Sequence, residues 1–217
     1  LIQTLTPTGF TVGTATAVNE NGTEYHWVAF KAGAGELAVG TYNGGGSATQ
    51  SIAGLGFSPD CVVVLPPVGG TPDGRPVIST STLAADTSFD FDATMLPDTI
   101  RALEPDGFQV GNGSASEPNL TFSGRTFHYI AWNAVPGKMA VGTYQGDGLD
   151  NRNLDVVGFF PEWVLIKKWP DGSLNRPWTA KPASTGVGTD AAYRFSDGTS
   201  GALIADSIQT LRPLGFQ

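Results

Sequence analysis

Short runs rich in Val, Thr, Tyr, Phe and Trp recur along the chain, separated by clusters of Gly, Pro, Asn and Asp. β-Branched and aromatic side chains suit a pleated surface, and Gly, Pro, Asn and Asp supply the backbone conformations of tight turns. The pattern therefore predicts antiparallel strands joined by turns. Residues 24–31 and 36–42 are two such runs separated by Ala32-Gly33-Ala34-Gly35, and a second pair flanks Ala134-Val135-Pro136-Gly137; each pair is expected to form a hairpin. In 25–30, Tyr25, Trp27 and Ala29 point one way while His26, Val28 and Phe30 point the other, so a strand there is apolar on both faces and is expected to be central or covered. Helix-like spacing is confined to Ile100/Leu103 and Ile208/Leu211, preceded by Asp98 or Asp206 as an N-cap and closed by Pro105 or Pro213, which predicts a single turn.

The chain also repeats itself. YHWVAFKAGAGELAVGTYNGGG from Tyr25 and FHYIAWNAVPGKMAVGTYQGDG from Phe127 lie 102 residues apart and are identical at 11 of 22 positions. At the same offset Leu55-Gly56-Phe57-Ser58-Pro59-Asp60 is answered by Val157-Gly158-Phe159-Phe160-Pro161-Glu162, each leading into an apolar run. A shorter motif occurs three times: IQTLTPTGFTVG from Ile2, IRALEPDGFQVG from Ile100 and IQTLRPLGFQ from Ile208. A fixed period of this kind marks a repeat architecture. The expected organisation is a first module over 1–99, a second over 100–207, and the start of a third repeat or an exchanged terminal strand over 208–217. Many short strands and no βαβ alternation predict an all-β fold of two tandem antiparallel β-sandwich modules, jelly-roll-like in character.

Composition narrows the chemistry. A length of 217 residues and a mass of 22.6 kDa suit two domains,. Twelve basic residues against twenty acidic ones leave a formal charge of -8, which repels a phosphate backbone, so no nucleic-acid partner is expected,. One cysteine allows no internal disulfide, and two histidines beside it make neither a zinc site nor a Cys-His catalytic pair,. The longest apolar stretch, 61–68, is broken by Pro66 and Pro67 and falls short of the roughly 18 residues a membrane helix requires, so no membrane span is expected,. The chain opens at Leu1 with neither methionine nor a basic and apolar leader; any export signal is expected to be processed or to lie outside this sequence,.

Four groups of residues are candidates for chemistry or binding. His26 and His128 occupy equivalent places in an aromatic strand, and with no nucleophile elbow nearby they are expected to be packed or hydrogen-bonded in the core rather than catalytic. Asp147, Asp150 and Asn151 surround Gly148 in GDGLDNRNLD, which reads either as a turn or as a Ca²⁺ site, the latter without the spacing of an EF-hand,. Trp169 and Trp178 flank a loop carrying Asp171 and Asn175, a combination of flat rings and hydroxyl-bonding groups suited to sugars,. Ile208, Leu211 and Phe216, in the third copy of the short motif, are candidates for assembly: an edge strand donated to the next subunit would link chains end to end. A glycosidase pair of carboxylates is not expected, since Glu36 becomes Lys138 in its own repeat,.

Taken in register, GFTVG, the YHWVAF/FHYIAW strand, AVGTY-x-G-x-G and LGFSPD/VGFFPE resemble a repeat of bacteriophage tail and virion-associated proteins and of large bacterial surface proteins. The resemblance spans essentially the whole chain and rests on turn and core residues, which specify a fold rather than an activity. It implies β-sandwich spacers without shared catalytic residues. The expected function is a non-catalytic structural module of an extracellular fibre, filament or virion assembly, on the cell surface or in the virion. Its expected partners are copies of itself or neighbouring modules, and no cofactor is expected. The alternative is a carbohydrate- or receptor-binding sandwich module engaging cell-surface glycans.

Overall fold

The computed structural model describes residues 2–67, 75–91, 95–113, 125–168, 178–186, 188–195 and 203–217. Over these the chain is all-β apart from a single α-helical turn, Thr16–Asn19, and a single 3₁₀ turn, Ala183–Thr185. An N-terminal hairpin, β1 (Ile2–Thr6) and β2 (Gly9–Val12), is followed by β3 (Leu37–Asn43), β4 (Thr49–Ala53), β5 (Cys61–Leu65), β6 (Val77–Thr80), β7 (Ser88–Asp90) and β8 (Met95–Leu96). Next come β9 (Ile100–Glu104), β10 (Gly107–Gly111), β11 (Thr126–Trp132), β12 (Trp163–Ile166), β13 (Thr179–Pro182), β14 (Ala192–Arg194), β15 (Leu203–Ile204), β16 (Leu211–Arg212) and β17 (Gly215–Phe216). All pairings among them are antiparallel, in sheets ordered β3-β11-β5-β6-β7-β8, β4-β10-β9 and β12-β13-β14-β15, with β1-β2 and β16-β17 as separate hairpins.

The alternation of side chains along β5 shows why the chain folds this way. Val62 and Val64 join Val77 in a core shared with Ile52, Ile100, Phe108 and Val110 of the three-stranded sheet. Cys61 and Val63, on the opposite face of β5, join Ile78, Phe89 and Trp178 in another cluster, against which Met139, Val141 and Leu165 pack. A strand buried on both sides needs apolar residues at every position, which CVVVL provides,. A third cluster gathers Leu154, Val164, Ala192, Ile208, Leu211 and Phe216.

Two sequence expectations are corrected. First, residues 24–31 form no strand, and β3 is not their hairpin partner; its neighbour is β11, with Tyr129 opposite Gly40 and Ile130 opposite Val39. The strand beside β3 thus comes from the other sequence copy. The two copies carry nearly the same residues, so local pattern could not distinguish them. Second, the stretch beginning at Ile100 is strand β9, and Leu211 lies in strand β16, not in a helical turn. Asp98 and Asp206 have φ of 55° and 53°, the left-handed region rather than the extended backbone of an N-cap,. An extended backbone here gains a ladder to β10, whereas one isolated turn would leave most of its backbone groups unpaired,. Ile100, Phe108 and Val110 pack in a core with residues that precede them, and so do Ile208, Leu211 and Phe216.

Candidate functional site

The thrice-repeated short motif is where sequence and structure together single out residues for a role. In its second copy Gly107 pairs with Ala53 and Phe108 with Ile52. A Cβ on Gly107 would lie 1.9 Å from the Ile52 carbonyl oxygen, so only glycine lets the two backbones approach,. The Asp106 carboxylate accepts hydrogen bonds from the Gly54 and Gly56 amides at 3.1 and 2.6 Å, fastening the turn after β4 to the hairpin.

The third copy makes the same contacts on the second half of the chain. A Cβ on Gly215 would lie 1.9 Å from the Leu154 carbonyl oxygen, and Leu154 bridges Phe216 as Ile52 pairs with Phe108. The amides of Val157 and Gly158 donate to the Leu214 carbonyl as those of Gly54 and Leu55 donate to the Asp106 carbonyl. Ring geometry repeats too: Tyr42 and Phe108 lie 6.4 Å apart at 74°, Tyr144 and Phe216 6.2 Å apart at 69°. Two stretches 102 residues apart are therefore closed by two copies of one motif in one way.

Among the described residues the first copy has no such partner. Ile2 is 61% exposed, whereas its equivalents Ile100 and Ile208 are each 1% exposed. Leu5 is 79% exposed, and the Phe10 ring rests on Trp27 at 5.7 Å. The β1-β2 hairpin thus displays to solvent the apolar residues that the other two copies bury. Ile208, Leu211 and Phe216, expected to link subunits, pack in this chain's own core, where Phe216 bridges Leu154.

A cleft of about 460 Å³ opens beside the third copy, lined on its apolar side by Tyr144, Leu154, Ile166 and Phe216 and on its polar side by the 147–152 loop, Asp206 and Gln209. Here lie the proposed calcium ligands. Asp147 accepts from the Leu149 amide at 3.0 Å and pairs with Arg152 at 3.1 Å. Asp150 accepts from the Asn151 amide and side chain, both at 2.8 Å, and from Gln209 at 3.1 Å. Asn151 has φ of 58°, a turn conformation that asparagine tolerates,. Among the described residues no group of three or more His, Cys, Asp or Glu could hold a metal. The turn reading of this loop accounts for the contacts of these side chains.

Of the sugar-binding candidates, Trp169, Asp171 and Asn175 lie outside the described residues. Trp178 is 5% exposed, packs on Phe89 and Phe91, and donates from Nε1 to the Asp90 carbonyl at 3.0 Å. Its indole joins the two halves of the chain and presents no open face. The histidines are not core residues: His128 is exposed on β11, and His26 is half-buried, its Nδ1 3.1 Å from Ser184 Oγ and its ring 5.3 Å from that of Tyr193. Burial, reinforced by the neighbouring Asp60 carboxylate, pushes the Cys61 thiol up to about 12, so the sulfur stays protonated and poorly nucleophilic,. Buried Lys181 places Nζ 2.6 and 2.8 Å from the Thr189 and Ala191 carbonyls, a structural use of the charge.

Sequence reasoning missed Asp106, Gly107 and Gly215 as closing residues, although the shared Gly-Phe dipeptide of the three motifs was their visible signal. Comparison with protein-family models, with curated proteins and with solved structures found no match for this chain.

Proposed function

We propose that this chain is a non-catalytic structural repeat of an extracellular fibre, filament or virion assembly. It is built as tandem β-sandwich units, each closed by the opening motif of the copy that follows. One observation carries this reading: the same motif is buried against the preceding copy at 100–111 and at 208–217, and at 2–12 its apolar residues Ile2 and Leu5 are exposed. In such an array cohesion arises between neighbours, and each junction contributes its own stability. The β1-β2 hairpin is then the connector to an upstream unit, through the backbone pairing and apolar burial seen at β4-β10,. The resemblance to phage tail and bacterial surface repeats points the same way.

A chain shortened to residues 1–207 tests this. Without the third motif its second unit exposes the edge at Leu154, and the β1-β2 hairpin of another molecule is the fitting replacement. Sedimentation velocity should show concentration-dependent oligomers for the shortened chain, suppressed by Leu5→Asp in the donor hairpin. A shortened chain that stays monomeric, or associates equally well with Leu5→Asp, refutes the proposal.

A further inference from the structure

The segments that surround β11 in the first half of the chain have sequence equivalents in the second half, but among the described residues no strand occupies β11's place there. β11 lies between β3 and β5, with Phe127, Tyr129 and Ala131 turned to the core: Phe127 stacks on Tyr42 at 5.3 Å, and Tyr129 packs edge-on against Phe108 at 5.2 Å. Tyr129 also lies directly over Gly40, where a Cβ would come within 2.5 Å of its hydroxyl. The residues equivalent to Tyr42, Ile52, Val64 and Phe108 are Tyr144, Leu154, Ile166 and Phe216, the apolar side of the 460 Å³ cleft. The residue equivalent to Gly40 is Gly142, and a Cβ there would meet nothing within 4 Å. The second half thus keeps both the glycine and the hollow that a large ring requires, with no ring from the described residues in them.

The segment equivalent to β11 is 25–30, and it is unspent. It belongs to no strand among the described residues, with Trp27 67% exposed and Val28 and Phe30 half exposed. It already lies beside the vacant place: Phe30 is 6.4 Å from the Trp163 ring in β12, and His26 contacts Ser184 and Tyr193. In the first half the residue equivalent to Phe30, Trp132, is paired with Cys61, the equivalent of Trp163. Contacts between residues and their own repeat equivalents fit a reciprocal, two-fold-like relation between the halves. Glu36 pairs with Lys138 at 2.5 Å, and Phe30 lies 5.5 Å from Trp132.

We propose that 25–30 is the missing central strand of this chain's own second half, inserting between 139–145 and β12, so that the two copies exchange this strand reciprocally. The register follows from that of β11: Val28 opposite Leu165 and Val141, Trp27 over Gly142 and against Phe216, Tyr25 against Tyr144. The insertion closes the second unit within one chain and is separate from the end-to-end pairing of the β1-β2 hairpin.

Paired cysteines test the register in the full chain, with Cys61→Ala removing the native thiol. Residues directly opposite in an antiparallel pair have Cα atoms about 4.5–5.5 Å apart, within the range a disulfide spans. Mild oxidation of the Val28→Cys/Leu165→Cys protein should give one intramolecular disulfide in a monomer, seen by mass spectrometry and non-reducing electrophoresis, at a rate at least tenfold above Val28→Cys/Lys168→Cys. In the protein with native side chains, Gly142→Leu should fill the place of the Trp27 ring and raise acrylamide quenching of tryptophan fluorescence. Disulfide-linked dimers or ladders would assign the place to a second copy and overturn the proposal. So would failure to cross-link, equal rates for the two pairs, or quenching indifferent to Gly142→Leu.

Discussion

The three copies of the short motif place a phenylalanine after glycine in three different surroundings, which makes Phe10→Ala, Phe108→Ala and Phe216→Ala a direct measure of what burial contributes. Local sequence is nearly constant across the three, so strand propensity and turn chemistry largely cancel. Phe108 is fully buried, opposite Ile52 and edge-on to both Tyr42 and Tyr129. Removing its ring should cost about 3–5 kcal/mol, the usual range for emptying a packed aromatic site. Phe216 packs edge-on against Tyr144 beside the cleft; the expected cost is about 2–3 kcal/mol with the cleft open and rises toward that of Phe108→Ala with Trp27 seated in it,. Phe10 keeps a single edge contact with Trp27, which limits the effect to about 1 kcal/mol,. Urea unfolding followed by circular dichroism reads these values; with a slope of about 2 kcal/mol per molar for a unit of this size, Phe108→Ala should lower its midpoint by about 1.5–2.5 M. A Phe10→Ala cost equal to that of Phe108→Ala, or a Phe108→Ala cost below about 1 kcal/mol, would refute the argument that the motif closes the preceding residues.

Other outcomes follow from the same contacts. Cys61 is held protonated in the folded chain and ionises near its ordinary value once unfolded, so its contribution to stability is complete below about pH 9 and is lost as pH rises toward 12; between pH 9 and 10.5 the native protein should lose stability relative to Cys61→Ala by up to about 1.4 kcal/mol per pH unit. Trp178→Phe, which removes the hydrogen bond to Asp90 while keeping a ring, should cost about 1–2 kcal/mol, and Trp178→Ala about 3–5 kcal/mol by thermal or urea unfolding,. Millimolar Ca²⁺ should leave the melting temperature unchanged within 1 °C on the order expected for no site, because Asp147 and Asp150 are occupied by Arg152, Gln209 and local amides,. Gly107→Ala, which sets a methyl against the Ile52 carbonyl, should destabilise by several kcal/mol, on the order of other strained backbone sites,.

The sequence by itself determined the strand-and-turn character of the chain, its period of 102 residues and the three-fold recurrence of one motif. These are properties of local pattern: alternation, β-branched content and turn residues act over a few positions. Only the tertiary structure decided which copy of a repeated segment pairs with which. Residues 25–30 and 127–132 have almost the same side chains, and either would satisfy β3, but β11 occupies the place beside it. Likewise Ile2, Ile100 and Ile208 stand in similar sequence surroundings, and their exposure diverges because the second and third motifs cover backbone at Ile52 and Leu154, while Ile2 stays exposed among the described residues. The roles of Gly107 and Gly215 were hidden for the same reason: a glycine's need for close approach is set by the backbone opposite it, here the carbonyls of Ile52 and Leu154, some fifty to sixty residues away.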